Sequence, residues 1–184
     1  EVFNTNEYIN GTDEHQRSIR YSSSLASYEW ENNNQISWIR KYFFSRISEK
    51  DLQGKNLLDL GSFTGGRIIA WTEKYKLLKG YGIDINPIFR IASEEFAKSI
   101  NVENVFFETG VGEKLPYESN SLDFIVSTDV FEHVEDLRMV LNECYRVLKK
   151  GGKLCVVFPQ YLQPLEAHLG MVTNAVGLHW FFSG

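Results

Sequence analysis

The residues best placed to do chemistry fall at two points along the chain. The first is Asp59-Leu60-Gly61-Ser62-Phe63-Thr64-Gly65-Gly66, where an apolar run beginning at Leu57 stops at a carboxylate and a glycine. Asp84 belongs with it, closing Tyr81-Gly82-Ile83 a little over twenty residues beyond Gly61. A strand, a tight turn and a helix N-terminus can hold a nucleotide-like cofactor, and a carboxylate ending the next strand can accept both ribose hydroxyls of an adenosine. The second point is Asp129 and His133, with His168 further on; any of these could take a proton from a nucleophile. The same residues have plainer uses: a βα turn needs no ligand, a strand-end carboxylate can be merely solvated, and a histidine at a helix start can simply pack.

These side chains need a scaffold, and the hydropathy pattern supplies one. Asn56–Leu60 reads as a first strand, 66–75 as a helix, Gly80–Asp84 as a second strand, and a helix starting near Pro87 runs to about Ile100. Val105–Glu108 gives a third strand, and Leu122–Ser127 a near-continuous apolar run typical of a buried parallel strand. The stretch from Val134 to Lys149 carries an apolar stripe of Val134, Leu137, Leu141, Cys144 and Leu148, with Glu135-Asp136 at its start and Lys149-Lys150 at its end. Gly151-Gly152 stops it, and Lys153–Phe158 is a fifth strand. Strands alternating with helices predict an α/β fold, a doubly wound Rossmann-like parallel sheet with helices on both faces. Residues 1–27 are polar and read as a loosely ordered arm or a short cap; from Tyr28 a helical pattern (Trp30, Ile36, Ile39, Phe43, Ile47) begins the domain proper, 28–184.

The glycine spacing separates two cofactor classes. A dinucleotide fingerprint, Gly-x-Gly-x-x-Gly, needs its second glycine so that the backbone can approach a pyrophosphate. Here that position is Phe63. The motif of strand followed by Asp59-x-Gly61-x-x-x-Gly65 resembles instead the first motif of the class I S-adenosylmethionine (SAM)-dependent methyltransferases. The resemblance extends through Gly110-Val111-Gly112-Glu113-Lys114-Leu115-Pro116, Leu122-Asp123-Phe124, Glu132-His133-Val134 and Arg146-Val147-Leu148-Lys149-Lys150-Gly151-Gly152, covering about residues 54–159. It implies a cofactor site made by Asp59, Gly61, Ser62, Gly65, Asp84, Ile85, Val111, Gly112 and Asp129, with S-adenosyl-L-methionine as methyl donor. It also implies in-line methyl transfer to a small-molecule acceptor, with Asp129, His133 or His168 as the base. Tyr161, His168, His179 and Trp180 are further substrate-side candidates. At Val111 the chain departs from the family, which usually carries an acidic residue there for the adenine amino group; Glu113 is a poor substitute.

The bulk numbers narrow the alternatives. At 184 residues, 43% hydrophobic and 23% charged, the chain has the size and composition of one globular domain. A formal charge of -5 argues against a general affinity for nucleic acid. There is no apolar run long enough for a membrane span and no zinc spacing, and Cys144 and Cys155 read as small core residues in a reducing cytoplasm. The resembling fold ends in a sixth strand and an antiparallel seventh that covers the fifth. Nothing after His168 reads as either, so the fifth strand is expected to be covered by further chain or by a second copy. The rival readings are a SAM-binding domain without turnover and an NAD-dependent oxidoreductase.

Overall fold

The computed structural model describes residues 14–33 and 43–157. Five parallel strands form one sheet in the order β3-β2-β1-β4-β5: β1 Asn56–Leu60, β2 Lys79–Asp84, β3 Val105–Thr109, β4 Leu122–Thr128 and β5 Leu148–Val157. Order reverses at β1, which pairs with β2 on one side and β4 on the other. The carboxyl ends of these three strands therefore open the crevice where such sheets hold ligands.

Four helices of eight or more residues flank the sheet among the described residues: α1 Glu14–Asn33, α2 Gly66–Lys74, α3 Pro87–Ser99 and α4 Leu137–Val147. Alternate strand residues feed two cores. Leu57, Phe124 and Val126 join Ile68, Ile69 and Trp71 of α2 and Phe96 of α3 on one face. Leu58, Leu60 and Ile125 join Val140, Cys144 and Val147 of α4 on the other. Local signals start the helices. Asn86 caps α3 by accepting the Ile88 N–H at 3.0 Å, with Pro87 in the first turn, and Asp136 caps α4 by accepting the Met139 N–H at 3.0 Å.

Three boundaries differ from the sequence reading. Residues 14–27 are not a loose arm: they belong to α1, which ends at Asn33 and packs along α2 and α3. Hydrophobic periodicity missed this helix because its buried face is polar and small. Arg20, Ser24 and Glu31 are buried, and backbone and Ser27 Cβ atoms of α1 lie so close to Gly66 that a side chain there could not be accommodated. Ile36 and Ile39 lie outside the described residues, while Phe43 and Ile47 are buried in the first core.

The second difference is α4, which starts at Leu137 rather than Val134 and buries Val140, Cys144 and Val147; Leu137 and Leu141 of the expected stripe face outward. The third is β5, which begins directly after α4 at Leu148. An irregularity in the β4 pairing and Gly151 at φ +82° absorb the extra residues before Lys153 pairs with Phe124. β5 lies at the edge of the described sheet, its residues from Leu154 to Val157 only half-buried.

Candidate active site

A cavity of ≈ 420 Å³ opens at the carboxyl ends of β1, β2 and β4, within the usual range of small-ligand pockets. Of the residues singled out from the sequence, Gly61, Asp84, Ile85, Val111, Gly112, Asp129 and His133 all line it. Asp59, Ser62 and Gly65 do not, and His168, Tyr161, His179 and Trp180 lie outside the described residues.

The glycine loop is shaped from within. Gly61 N–H and Ser62 N–H both donate to the Ile83 carbonyl, at 2.9 and 3.0 Å, and Gly65 N–H donates to the Ser62 carbonyl at 2.9 Å. Phe63 N–H donates to Asp84 Oδ2 at 2.9 Å. Four amides of the loop are thus engaged inside the protein, and α1 lies against the first turn of α2 at Gly66. Phe63 itself sits at φ +50° with its ring 4.3 Å from that of Phe89, centroid to centroid. Gly61 and Gly65 have φ of +78° and +75°; a Cβ on Gly61 would run into Val130, and one on Gly65 into Ser93 and Phe107.

Asp84 is held as an acceptor. Its second oxygen takes the Asn86 N–H at 3.1 Å, so each oxygen receives one backbone donor and retains lone pairs for a ligand. Ile85, 73% exposed, and Val111, 41% exposed, are large apolar side chains left in the open at this cavity. Glu113 is occupied elsewhere: its Oε1 accepts the amides of Glu135 and Asp136 at 3.0 and 3.3 Å, ahead of α4.

Asp59 is a correction to the expected direct cofactor contact. Its carboxylate is fully buried and gripped by Arg67, with Nε to Oδ2 at 2.9 Å and Nη2 to Oδ1 at 2.7 Å. Burial pushes the Asp59 carboxyl up, against the pull of the guanidinium. Burial likewise opposes charge on Arg67, but the neighbouring Asp59 outweighs it and raises the guanidinium further. Ser62 is buried beneath the loop, serving it through its backbone. Arg67 escaped the sequence reading, although a basic residue in the first turn of a helix, where the dipole disfavours it, is a usable signal that a carboxylate lies nearby.

Asp129 follows β4 with φ +54°, its N–H donating to the Val157 carbonyl at 2.9 Å. His133 is largely exposed, with Nε2 3.9 Å from Glu132 Oε1. Among the described residues no group of three or more His, Cys, Asp or Glu side chains could hold a metal ion, and no helix is long and apolar enough to cross a membrane.

The profile of the family described as methyltransferase domain matches residues 58–156, more than half of the chain. The chain belongs to the methyltransferase domain family. Members of this class take their methyl group from SAM. The Bacillus subtilis methyltransferase YcgJ is 31% identical over 101 residues, which cover 55% of this chain and 39% of that protein. Its crystal structure aligns at a TM-score of 0.55 and 27% identity, over 61% of this chain and 47% of that one. The ubiquinone/menaquinone biosynthesis C-methyltransferase UbiE of Agrobacterium fabrum is 31% identical over 126 residues, 66% of this methyltransferase domain chain and 48% of UbiE. A SAM-dependent methyltransferase from Aquifex aeolicus shares the fold at a TM-score of 0.64 and 20% identity, covering 82% of this chain and 77% of that one. The chain thus spans about half or less of the length of these two curated relatives.

Proposed function

We propose that this methyltransferase domain transfers a methyl group from SAM to a small-molecule acceptor. The observation that carries this reading is the Asp84 carboxylate, fixed by two backbone amides in a cavity that the exposed Ile85 and Val111 also line. In this reading Asp84 receives the ribose hydroxyls, Ile85 and Val111 cover the adenine, and the backbone of Val111 and Gly112 meets its polar edge, since Glu113 is tied to α4. Gly61 lines the cavity with Val130 packed against it, while Ser62 and Gly65 shape the loop and Asp59 acts from beneath through Arg67.

Bound SAM supplies an already activated methyl group on a sulfonium. What the chain must add is alignment of the nucleophile and exclusion of water. Asp129 and His133 line the same cavity, which supports either as the base that takes a proton from a hydroxyl or ammonium acceptor; His168 is a third proposed base. The acidic lining (Asp84, Glu113, Asp129, Glu135) supports a small acceptor over a polyanionic nucleic acid. The involvement of UbiE in quinone biosynthesis supports the same class. The engaged amides of the glycine loop support SAM over a pyrophosphate-bearing cofactor such as NAD. We take the domain to work in the cytoplasm, which suits the free thiols Cys144 and Cys155.

A SAM-binding domain without turnover, retained for interaction, is the second reading; Val111 in place of an acidic residue bears on cofactor affinity in both. Incubating the protein with methyl-labelled SAM and a panel of hydroxyl, amine and activated-carbon acceptors decides between the two. Label transfer above the enzyme-free rate supports catalysis. SAM binding with no transfer to any of them supports the second reading.

A further inference from the structure

Arg67 does more than neutralise Asp59. Three of its nitrogens have separate tasks: Nε and Nη2 take the two oxygens of Asp59 on β1, and Nη1 donates to Thr128 Oγ1, the last residue of β4, at 2.9 Å. One rigid fork on α2 therefore ties together the ends of two neighbouring strands. The residue after Thr128 is Asp129, whose φ of +54° lies in the left-handed region, uncommon outside glycine though better tolerated by Asp than by most residues. Such a conformation persists when the surroundings fix it from several sides. Here Thr128 is held by Arg67, the Asp129 N–H by the Val157 carbonyl, and Val130 fills the space over Gly61.

We propose that Arg67 is a positioning residue for Asp129, holding the Thr128–Asp129 backbone in the conformation that methyl transfer uses. The reaction in this statement rests on the reading given above; the placement of Asp129 does not. The guanidinium also feels the negative charge of Asp129 and of Glu31 on α1, which places both carboxylates in its neighbourhood. A lysine could not replace it, because a single ammonium cannot present a fork to Asp59 and a third donor to Thr128.

Thr128→Val tests this with the Asp59–Arg67 pair left intact, and Thr128→Ser restores the acceptor oxygen. Amide hydrogen exchange on the ligand-free protein is read beside kcat and KM for SAM. The valine variant should exchange the Asp129 amide about tenfold faster, with the Gly61 and Ser62 amides unchanged, and the serine variant should restore protection. In the same variant kcat should fall about tenfold, with KM for SAM moving less than about threefold. Unchanged exchange at Asp129, or a rise spread evenly over all core amides, would overturn the proposal and leave Arg67 a purely structural residue. A wild-type protein that neither binds nor consumes SAM would sink the functional reading alone, since the exchange comparison still decides what Arg67 does.

Discussion

The amide of Phe63 donates to Asp84 Oδ2 at 2.9 Å, so the carboxylate ending β2 also closes the glycine loop after β1. Phe63 accepts a left-handed backbone in exchange for this bond and for contact of its ring with Phe89. The loop and the proposed ribose site are consequently one unit. A change at Asp84 acts on the ligand and on the loop that faces it.

Gly61 should tolerate no side chain. At φ +78°, with Val130 packed against it, Gly61→Ala combines backbone strain with a steric clash and should cost about 2–4 kcal/mol of stability, read by urea denaturation. Combining it with Val130→Ala removes the clash and leaves the strain, so part of the loss should return. Equal stability of the single variant and the wild type would mean that the loop relaxes away from Val130.

Acid should destabilise the fold through two carboxylates that do not line the cavity. Burial alone would raise Asp123, but the Lys149 ammonium at 2.7 Å, the Asn56 N–H and Lys55 outweigh it and hold the carboxyl low. Glu143 is held low by the Arg146 fork, helped by the Leu115 N–H against partial burial. A carboxyl whose folded pKa lies below its unfolded one contributes stability that is fully present above the unfolded value. That contribution is lost as pH falls through the folded one, here below about pH 4. Asp123→Asn and Glu143→Gln should each flatten the stability profile in that acid range. A profile as steep in both variants as in the wild type would assign the acid sensitivity elsewhere.

The helix α1 should depend on one buried polar contact. Trp71 Nε1 donates to Glu31 Oε2 at 3.0 Å in the interior. Removing the acceptor in Glu31→Ala leaves the indole N–H buried without it, at a cost of about 1–3 kcal/mol. Denaturation should show this loss, and limited proteolysis should cut within α1 first. Wild-type resistance to both would indicate that α1 is held by its contacts at Gly66 and Phe96 instead.

Much of this was legible in the sequence because it rests on local, periodic signals. Parallel strands buried on both faces read as apolar runs, Pro87 and Asn86 marked a helix start, and the glycines at 61 and 65 marked a loop that side chains cannot enter. Only the end of α1, from Tyr28, was legible; residues 14–27 were not, since they bury Arg20 and Ser24, which periodicity counts as solvent-facing. The role of Asp59 was half legible. A carboxylate at the end of an apolar strand signals a polar partner, but only the fold shows that the partner is Arg67, eight positions along and on another element. Leu137 and Leu141 misled for the converse reason: they flank Cys144 on one edge of the helix and stay exposed, while the buried face runs through Val140, Cys144 and Val147.

Calorimetric titration of the protein with SAM, S-adenosylhomocysteine and NAD, repeated on Asp84→Ala, tests the cofactor site most directly. The geometry predicts micromolar binding of the first two and none of NAD. It also predicts a loss in the variant of about 2–4 kcal/mol, from the paired hydrogen bonds of one carboxylate. SAM binding that survives Asp84→Ala unchanged, or NAD binding tighter than SAM, would contradict it.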